Sequence, residues 1–265
     1  MTDYESAASD FLELASEQRL NILLKTLSKR SKISEMAKEL GATPQEVHRN
    51  FERLVRSDLI VKDTDGLYSL TTYGKVVCSQ VPSFAFFSTN KKYFKNHDFG
   101  NIPEKFVHRI GELGGGQHLK GFTKVLERWQ TICKNADQYI YGILFEEPLE
   151  LIEPIVRKAE KGIKIESIFS ESAIIPSGRK NIIDKLGVKK LVEKGTIERK
   201  MKNDVTTGVL LNEKEACVMF PKITGEVDIG ETFYGSDASF HEWCLDYFRY
   251  CWYGSKVFQE SKIRE

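Results

Sequence analysis

Residues 43–56 read TPQEVHRNFERLVR, and little is open to such a stretch except a helix docked by one side. Thr43 is an N-cap type, Pro44 suits the first helical position, and Glu46 completes a capping box. Val47, Phe51, Leu54 and Val55 fall at i, i+4, i+7 and i+8, which makes one apolar stripe. The other side carries Gln45, His48, Arg49, Glu52, Arg53 and Arg56. These are long side chains, mostly basic or amide, of the kinds that reach base edges and phosphates in a DNA major groove. A capped amphipathic helix is more often a plain surface helix. The flanking segments decide between the two.

Upstream, the spacing predicts one helix over 9–28. Its apolar residues Phe11, Leu12, Leu14, Ala15, Leu20, Leu23, Leu24 and Leu27 could cover both a domain core and a second subunit. A short helix follows, burying Ile33, Met36, Ala37 and Leu40 and stopping at Gly41, and Gly41-Ala42 turns straight into Thr43. Helix, tight glycine turn, helix is the helix-turn-helix arrangement. Downstream, 58–62 and 67–70 are β-prone runs around Asp65-Gly66, a hairpin. The order describes a winged helix with residues 43–56 as recognition helix. Gln45, His48 and Arg49, on its first exposed turns beside Thr43, are then expected nearest the bases. Arg53, Arg56, Lys62 on the wing, and Arg30 and Lys32 beside the second helix are expected on phosphates.

The segments EQRLNILLKTL and ISEMAKELGATPQEVHRNFERLVRSDLI, with the hairpin after them, resemble the winged-helix domain of small bacterial and archaeal transcriptional regulators of the ArsR type. One count opposes a polyanion partner. Residues 1–75 hold eleven Lys/Arg and twelve Asp/Glu, a net −1. The acids gather at the start and the bases at 19–32 and 49–62, so affinity is expected to rest on two half-domains acting together.

Residues 71–96, TTYGKVVCSQVPSFAFFSTNKKYFKN, continue as a connecting helix interrupted by Pro82. Its apolar residues Val76, Val77, Phe84, Phe87 and Phe94 need burial, in a dimer or on the next domain. A further helix is expected over 102–113. Gly114-Gly115-Gly116 reads as a flexible joint; a phosphate cradle would want the P-loop lysine-serine/threonine pattern, which is absent.

Beyond it the chain alternates. A helix over 119–135, a buried strand over 138–145, a helix over 148–161 and a strand over 163–169 make a βαβ unit with parallel strands. Helical segments between 179 and 194 lead to a strand near Ile197, and 205–211 with 216–220 form a hairpin. The last helix, 239–253, offers a Ser239–Glu242 capping box and a stripe of Phe240, Trp243, Cys244, Tyr247, Phe248 and Cys251. The expected fold class is α+β and multidomain. A winged helix-turn-helix occupies 1–75, a helical connector 76–116, and an α/β regulatory domain with a mixed sheet 117–265, for effector binding and dimerisation.

RIGELGGGQHLKGFTKVLERWQTICKNADQYIYGI, GIKIESIF and YGSDASFHEWCLDYFRYCW resemble the C-terminal half of archaeal regulators of the methanogenesis-regulator family, over nearly all of residues 100–255. The strand pattern is also similar to the phospholipase-D-like fold of some archaeal sugar-responsive regulators. The resemblance implies a DNA-binding transcriptional regulator with a C-terminal regulatory domain.

Chemistry finds little to stand on. Phospholipase-D catalysis needs H-x-K-x4-D; the one H-x-K is His118-Leu119-Lys120, and Val125 stands where Asp is required. Cys244 and Cys251 lie two turns apart on one helix face, without H-x-x-x-H or C-x-x-C, and read as core cysteines rather than metal ligands. There is no G-x-S-x-G. No enzyme, cofactor or metal is expected.

Five cysteines without C-x-x-C imply a reducing, cytoplasmic setting. A signal sequence and an apolar run of about 18 residues are both lacking, so no membrane is expected as a partner. The expected partners are double-stranded DNA, a second copy of the chain and an unidentified small-molecule effector. The competing expectation is an interaction or sensor module whose winged helix binds protein instead.

Overall fold

Ser16 breaks the first expected helix. In the computed structural model, which describes residues 4–262 except 147 and 204, α1 spans Tyr4–Leu14 and α2 spans Glu17–Ser28. The Ser16 side chain accepts from the Arg19 N–H at 3.4 Å and so starts a new helix instead of continuing the old one. α3 (Ile33–Leu40) ends at Gly41, whose φ of 61° is the left-handed conformation that glycine adopts cheaply. α4 (Pro44–Arg56) follows, then β1 (Ile60–Lys62) and β2 (Tyr68–Leu70), antiparallel with Ile60 opposite Leu70. Ile22, Leu23, Met36, Val47, Phe51, Leu54, Leu59 and Tyr68 are buried together as one core, with Phe51 edge-on to Tyr68 at 4.4 Å. Helices α2 to α4 are followed by a two-stranded hairpin, the element order expected of a winged helix-turn-helix with the hairpin as its wing.

α5 (Thr72–Thr89) leaves the wing with Pro82 inside it. The chain divides into two compact units within this helix, residues 1–84 and 85–265. The boundaries therefore differ from those expected at 75 and 116, and residues 76–116 do not form a connector of their own. Cys78 belongs to the first core and Phe86 to a core of the second unit.

In the second unit come α6 (Glu104–His108), a 3-10 turn (Ile110–Gly115), β3 (Gln117–Lys120), α7 (Phe122–Asn135), β4 (Tyr139–Glu146), α8 (Leu149–Glu160) and β5 (Lys164–Ile174). After them lie α9 (Arg179–Lys185), α10 (Val188–Glu193), β6 (Ile197–Lys202), β7 (Gly208–Leu211), β8 (Ala216–Met219), β9 (Glu231–Gly235), α11 (Ala238–Tyr253) and β10 (Lys256–Val257). The eight strands form one sheet in the order β10-β6-β5-β4-β7-β8-β9-β3. β4, β5 and β6 run parallel and the remaining pairs antiparallel, the mixed sheet that the βαβ and hairpin patterns predict.

Alternation along the strands feeds two cores. Val209, Leu211, Ala216 and Val218 pack with Phe240, Trp243, Tyr247 and Phe248 of α11. Leu210, Cys217 and Met219, one residue out of phase, pack with Trp129 of α7, Ile152 and Val156 of α8 and Leu191 of α10.

The triple glycine is not a joint. It closes a 3-10 turn whose Ile110 and Leu113 are fully buried. A Cβ on Gly116 would stand 2.4 Å from the Phe240 ring, and one on Gly115 2.7 Å from Asp237 Oδ2. Glycine is needed here for a close approach to α11, not for softness. Three smaller corrections follow from local geometry. The helix expected over 102–113 is a short helix and a 3-10 turn. The helix expected from 119 starts at Phe122, because 117–120 pairs with β9 and Gly121 turns the chain at φ 106°. The cap of α11 is Asp237, whose carboxylate accepts from the Phe240 N–H at 3.0 Å, in place of the Ser239–Glu242 box. Among the described residues, no helix is long and apolar enough to cross a membrane.

Candidate nucleic-acid interface

α4 is held down by Val47, Phe51 and Leu54, all fully buried. Its start is closed by the capping box: Thr43 Oγ1 accepts from the Glu46 N–H at 3.3 Å. The Glu46 carboxylate accepts from the Thr43 N–H at 3.1 Å and hydroxyl at 3.0 Å. Those hydrogen bonds from Thr43 hold the Glu46 carboxyl below the usual carboxylate range. Thr43 thus spends its side chain on starting the helix. It is placed at the expected end of the face but is already committed there.

Gln45, His48, Arg49, Glu52, Arg53 and Arg56 are all exposed, as the helical spacing requires. They are not equivalent. Gln45, Arg49 and Arg56 lie along the side opposite the core and make no hydrogen bond or ion pair among the described residues. His48 stands 4.0 Å from Glu52, an acid on the same side of the helix.

Arg53 is turned sideways: its Nη2 and Nε donate to the Glu13 carboxylate at 2.6 and 3.1 Å. Glu13 is buried and is also gripped by Arg19 Nε at 3.0 Å. The hydrogen bond from Arg53 holds the Glu13 carboxyl below its ordinary value against the opposing effect of burial. Arg53 therefore staples α4 to α1, a partner hidden from sequence reasoning because it depends on the break at Ser16. Next to it the Asn50 amide donates to Gln18, which ties α4 to the first turn of α2 as well.

The remaining expected phosphate residues split. Lys62 lies on the wing with its ammonium 5.6 Å from the Tyr68 ring centre. Arg30 faces Asp63 at 3.6 Å. Lys32, at the start of α3, has no ion pair among the described residues. Of the other bases in 19–32, Lys25 and Lys29 share Glu39 at 3.2 and 2.6 Å. Among the described residues, the expected contact cations without a carboxylate partner are thus Arg49 and Arg56 on α4, Lys32 at the start of α3 and Lys62 on the wing.

In the second unit, the one H-x-K is spoken for. His118 Nε2 and Lys120 Nζ lie 2.9 and 2.6 Å from the two oxygens of Glu231 on the neighbouring strand. All five cysteines are free and buried. Burial pushes the thiols of Cys133 and Cys217 up to about 12 and of Cys251 to about 11, and those of Cys78 and Cys244 upward as well. They pack; they are not poised as nucleophiles. Among the described residues no group of three or more His, Cys, Asp or Glu is arranged to hold a metal ion.

No known protein family's sequence profile matches the chain, and no curated protein matches it. Solved structures do. TrmBL2, an archaeal chromatin protein described as showing a novel mode of DNA binding, aligns over 91% of this chain and 92% of its own, at 9% identity and a TM-score of 0.42. NucT from Helicobacter pylori aligns over 54% of this chain and 98% of its own, at 11% identity and 0.41. Nuc from Salmonella typhimurium, a phospholipase D family member, covers 55% and 98%, at 11% identity and 0.38. All three scores lie below one-half, too distant for function to pass from those proteins to this chain.

Proposed function

We propose that the chain is a sequence-specific DNA-binding transcriptional regulator that works as a cytoplasmic homodimer, with a second unit that receives a small-molecule signal. One observation carries the reading. α4 is capped, docked by its apolar stripe, and offers Gln45, Arg49 and Arg56 unengaged beside a wing that carries Lys62. The ArsR-type winged helix and the methanogenesis-regulator resemblance belong to this reading.

So does the dimer. Phe11 and Leu12 of α1 and Val76 and Phe84 of α5 are more than half exposed, too much apolar surface to leave in water. We read the chain as no enzyme, because its one H-x-K pair is occupied by Glu231 and its thiols are buried and raised.

The test is a gel shift on DNA upstream of the protein's own coding region, followed by alanine variants at Gln45, His48 and Arg49. Loss of a base-reading side chain should cost about 1–3 kcal/mol and relax specificity at one position. Normal binding by all three variants would sink the recognition-helix assignment.

A second reading, a protein-binding scaffold, draws on the net −1 of residues 1–75 and on Glu52 within the exposed face of α4. It expects no duplex affinity at low salt, where the first reading expects binding that weakens steeply as salt rises.

A further inference from the structure

Between the sheet and helices α8, α9 and α10 lies a cavity of about 80 Å³. Apolar side chains such as Trp129, Ile155, Ile183 and Met219 line it. Ser167, Arg179 and Arg199 are, besides the Trp129 indole, the polar side chains among its described lining residues. Two guanidinium groups at an apolar cavity are costly unless an anion is at hand.

One anion at hand is Glu260, on the 3-10 turn Glu260–Lys262 that follows β10. Arg179 Nη1 donates to its Oε1 at 3.0 Å and Arg199 Nη1 to its Oε2 at 3.2 Å. The burial is lopsided. The Arg179 side chain is 2% exposed and that of Glu260 59%. Aromatic rings back both cations, Phe169 at 5.6 Å from Arg179 and Phe258 at 4.2 Å from Arg199. A two-pronged carboxylate receptor, buried at Arg179 and half-buried at Arg199, is thus filled from outside by a side chain that reaches in from a short turn, with a greasy void behind it.

We propose that this cavity binds a monocarboxylate with a short apolar body, whose carboxylate takes the place of Glu260 between Arg179 and Arg199. The apolar walls select the body and the arginine pair selects the head, since each carboxylate oxygen finds one guanidinium. A water needs roughly 10–15 Å³ of such space, so the cavity has room for about six small groups, the scale of hexanoate. Displacing Glu260 frees the turn that carries it and loosens β10, a two-residue edge strand on β6. Occupancy is thereby converted into a change at the edge of the sheet. The proposal gives the receiving role of the second unit a ligand class; it rests on that role and not on DNA binding.

The experiment titrates the full-length protein with hexanoate and with hexan-1-ol by calorimetry and thermal melting, beside the variants Glu260→Gln and Arg199→Gln. Saturable hexanoate binding is expected, at least tenfold tighter than that of the alcohol. Glu260→Gln should bind severalfold tighter, its internal competitor gone, and Arg199→Gln at least tenfold weaker. If Arg199→Gln does not fold, Arg199→Lys keeps the charge without the fork, and the same loss is expected of it. Absence of saturable binding to both the unaltered protein and Glu260→Gln overturns the proposal. So does equal affinity for the alcohol, or an unchanged affinity in a folded Arg199 variant. A gel shift on the same samples reads DNA binding separately, so the two failures are told apart.

Discussion

Glu13 is a single carboxylate that decides how much positive charge α4 can offer. Its side chain is 12% exposed and bridges Arg19 and Arg53. Replacing it with Gln should destabilise the first unit by about 1–2 kcal/mol, less than a fully buried pair would cost because Arg53 is half in water. The same change frees Arg53, so the slope of log K for DNA against log salt should steepen by about 0.9. Arg53→Gln in the otherwise unaltered chain should leave that slope as it is. An unchanged slope in Glu13→Gln would place Arg53 off the DNA altogether.

Asp228 offers a second case at this scale. Burial works to raise its carboxyl, but the hydrogen bonds from His97 and from the Gly230 N–H bring it below the ordinary value. His97 is buried, stacked on Tyr93 at 3.8 Å, with Nδ1 3.0 Å from the Tyr93 carbonyl and Nε2 3.0 Å from Asp228. A carboxyl lowered in the folded state stabilises above its unfolded value, about 3.9 for Asp and 4.3 for Glu. That stability is lost as pH falls through the lower folded value. Melting temperature should therefore drop on acidification below about pH 4, and Asp228→Asn should flatten part of that drop.

At the scale of elements, Gly116→Ala tests the reassignment of the triple glycine. If the turn must approach Phe240 closely, the added methyl should cost about 1–3 kcal/mol in urea unfolding of the second unit, whereas a soft joint would tolerate it. Gly114→Ala, where a Cβ meets nothing within 4 Å, is the matched control.

The contrast between these glycines and α4 shows what a sequence reveals. Cap, first proline, stripe and exposed face of α4 are all local, and each stands within four residues of the next. β4, α8 and β5 were legible for the same reason, as long apolar periods with a glycine stop. β3, β9 and β10 were not, being short, partly polar and held by partners far along the chain. The reason for Gly116 is Phe240, and the reason Arg53 turns away is Glu13. Neither distance can be read from spacing. The arginine pair at Glu260 was missed likewise, since three residues from three separate elements meet only once the sheet is built.

At the scale of the whole molecule, the exposed apolar residues of α1 and α5 make the dimer testable. Leu12→Glu with Val76→Glu should halve the mass measured by light scattering and weaken DNA binding, while leaving the helical circular dichroism signal in place. An unchanged mass would put the dimer contact elsewhere, and a monomeric parent would remove it. The division of the chain between Phe84 and Ala85 gives the five buried cysteines a use that has nothing to do with chemistry in the cell. A thiol that is both covered and protonated reacts with an alkylating reagent only after its surroundings open. Cys78 keeps watch over the first unit and Cys133, Cys217, Cys244 and Cys251 over the second. Intact mass spectra taken during slow alkylation should show an adduct of one label on a different clock from an adduct of four, if the units breathe independently. Five labels arriving together would mean that they open as one.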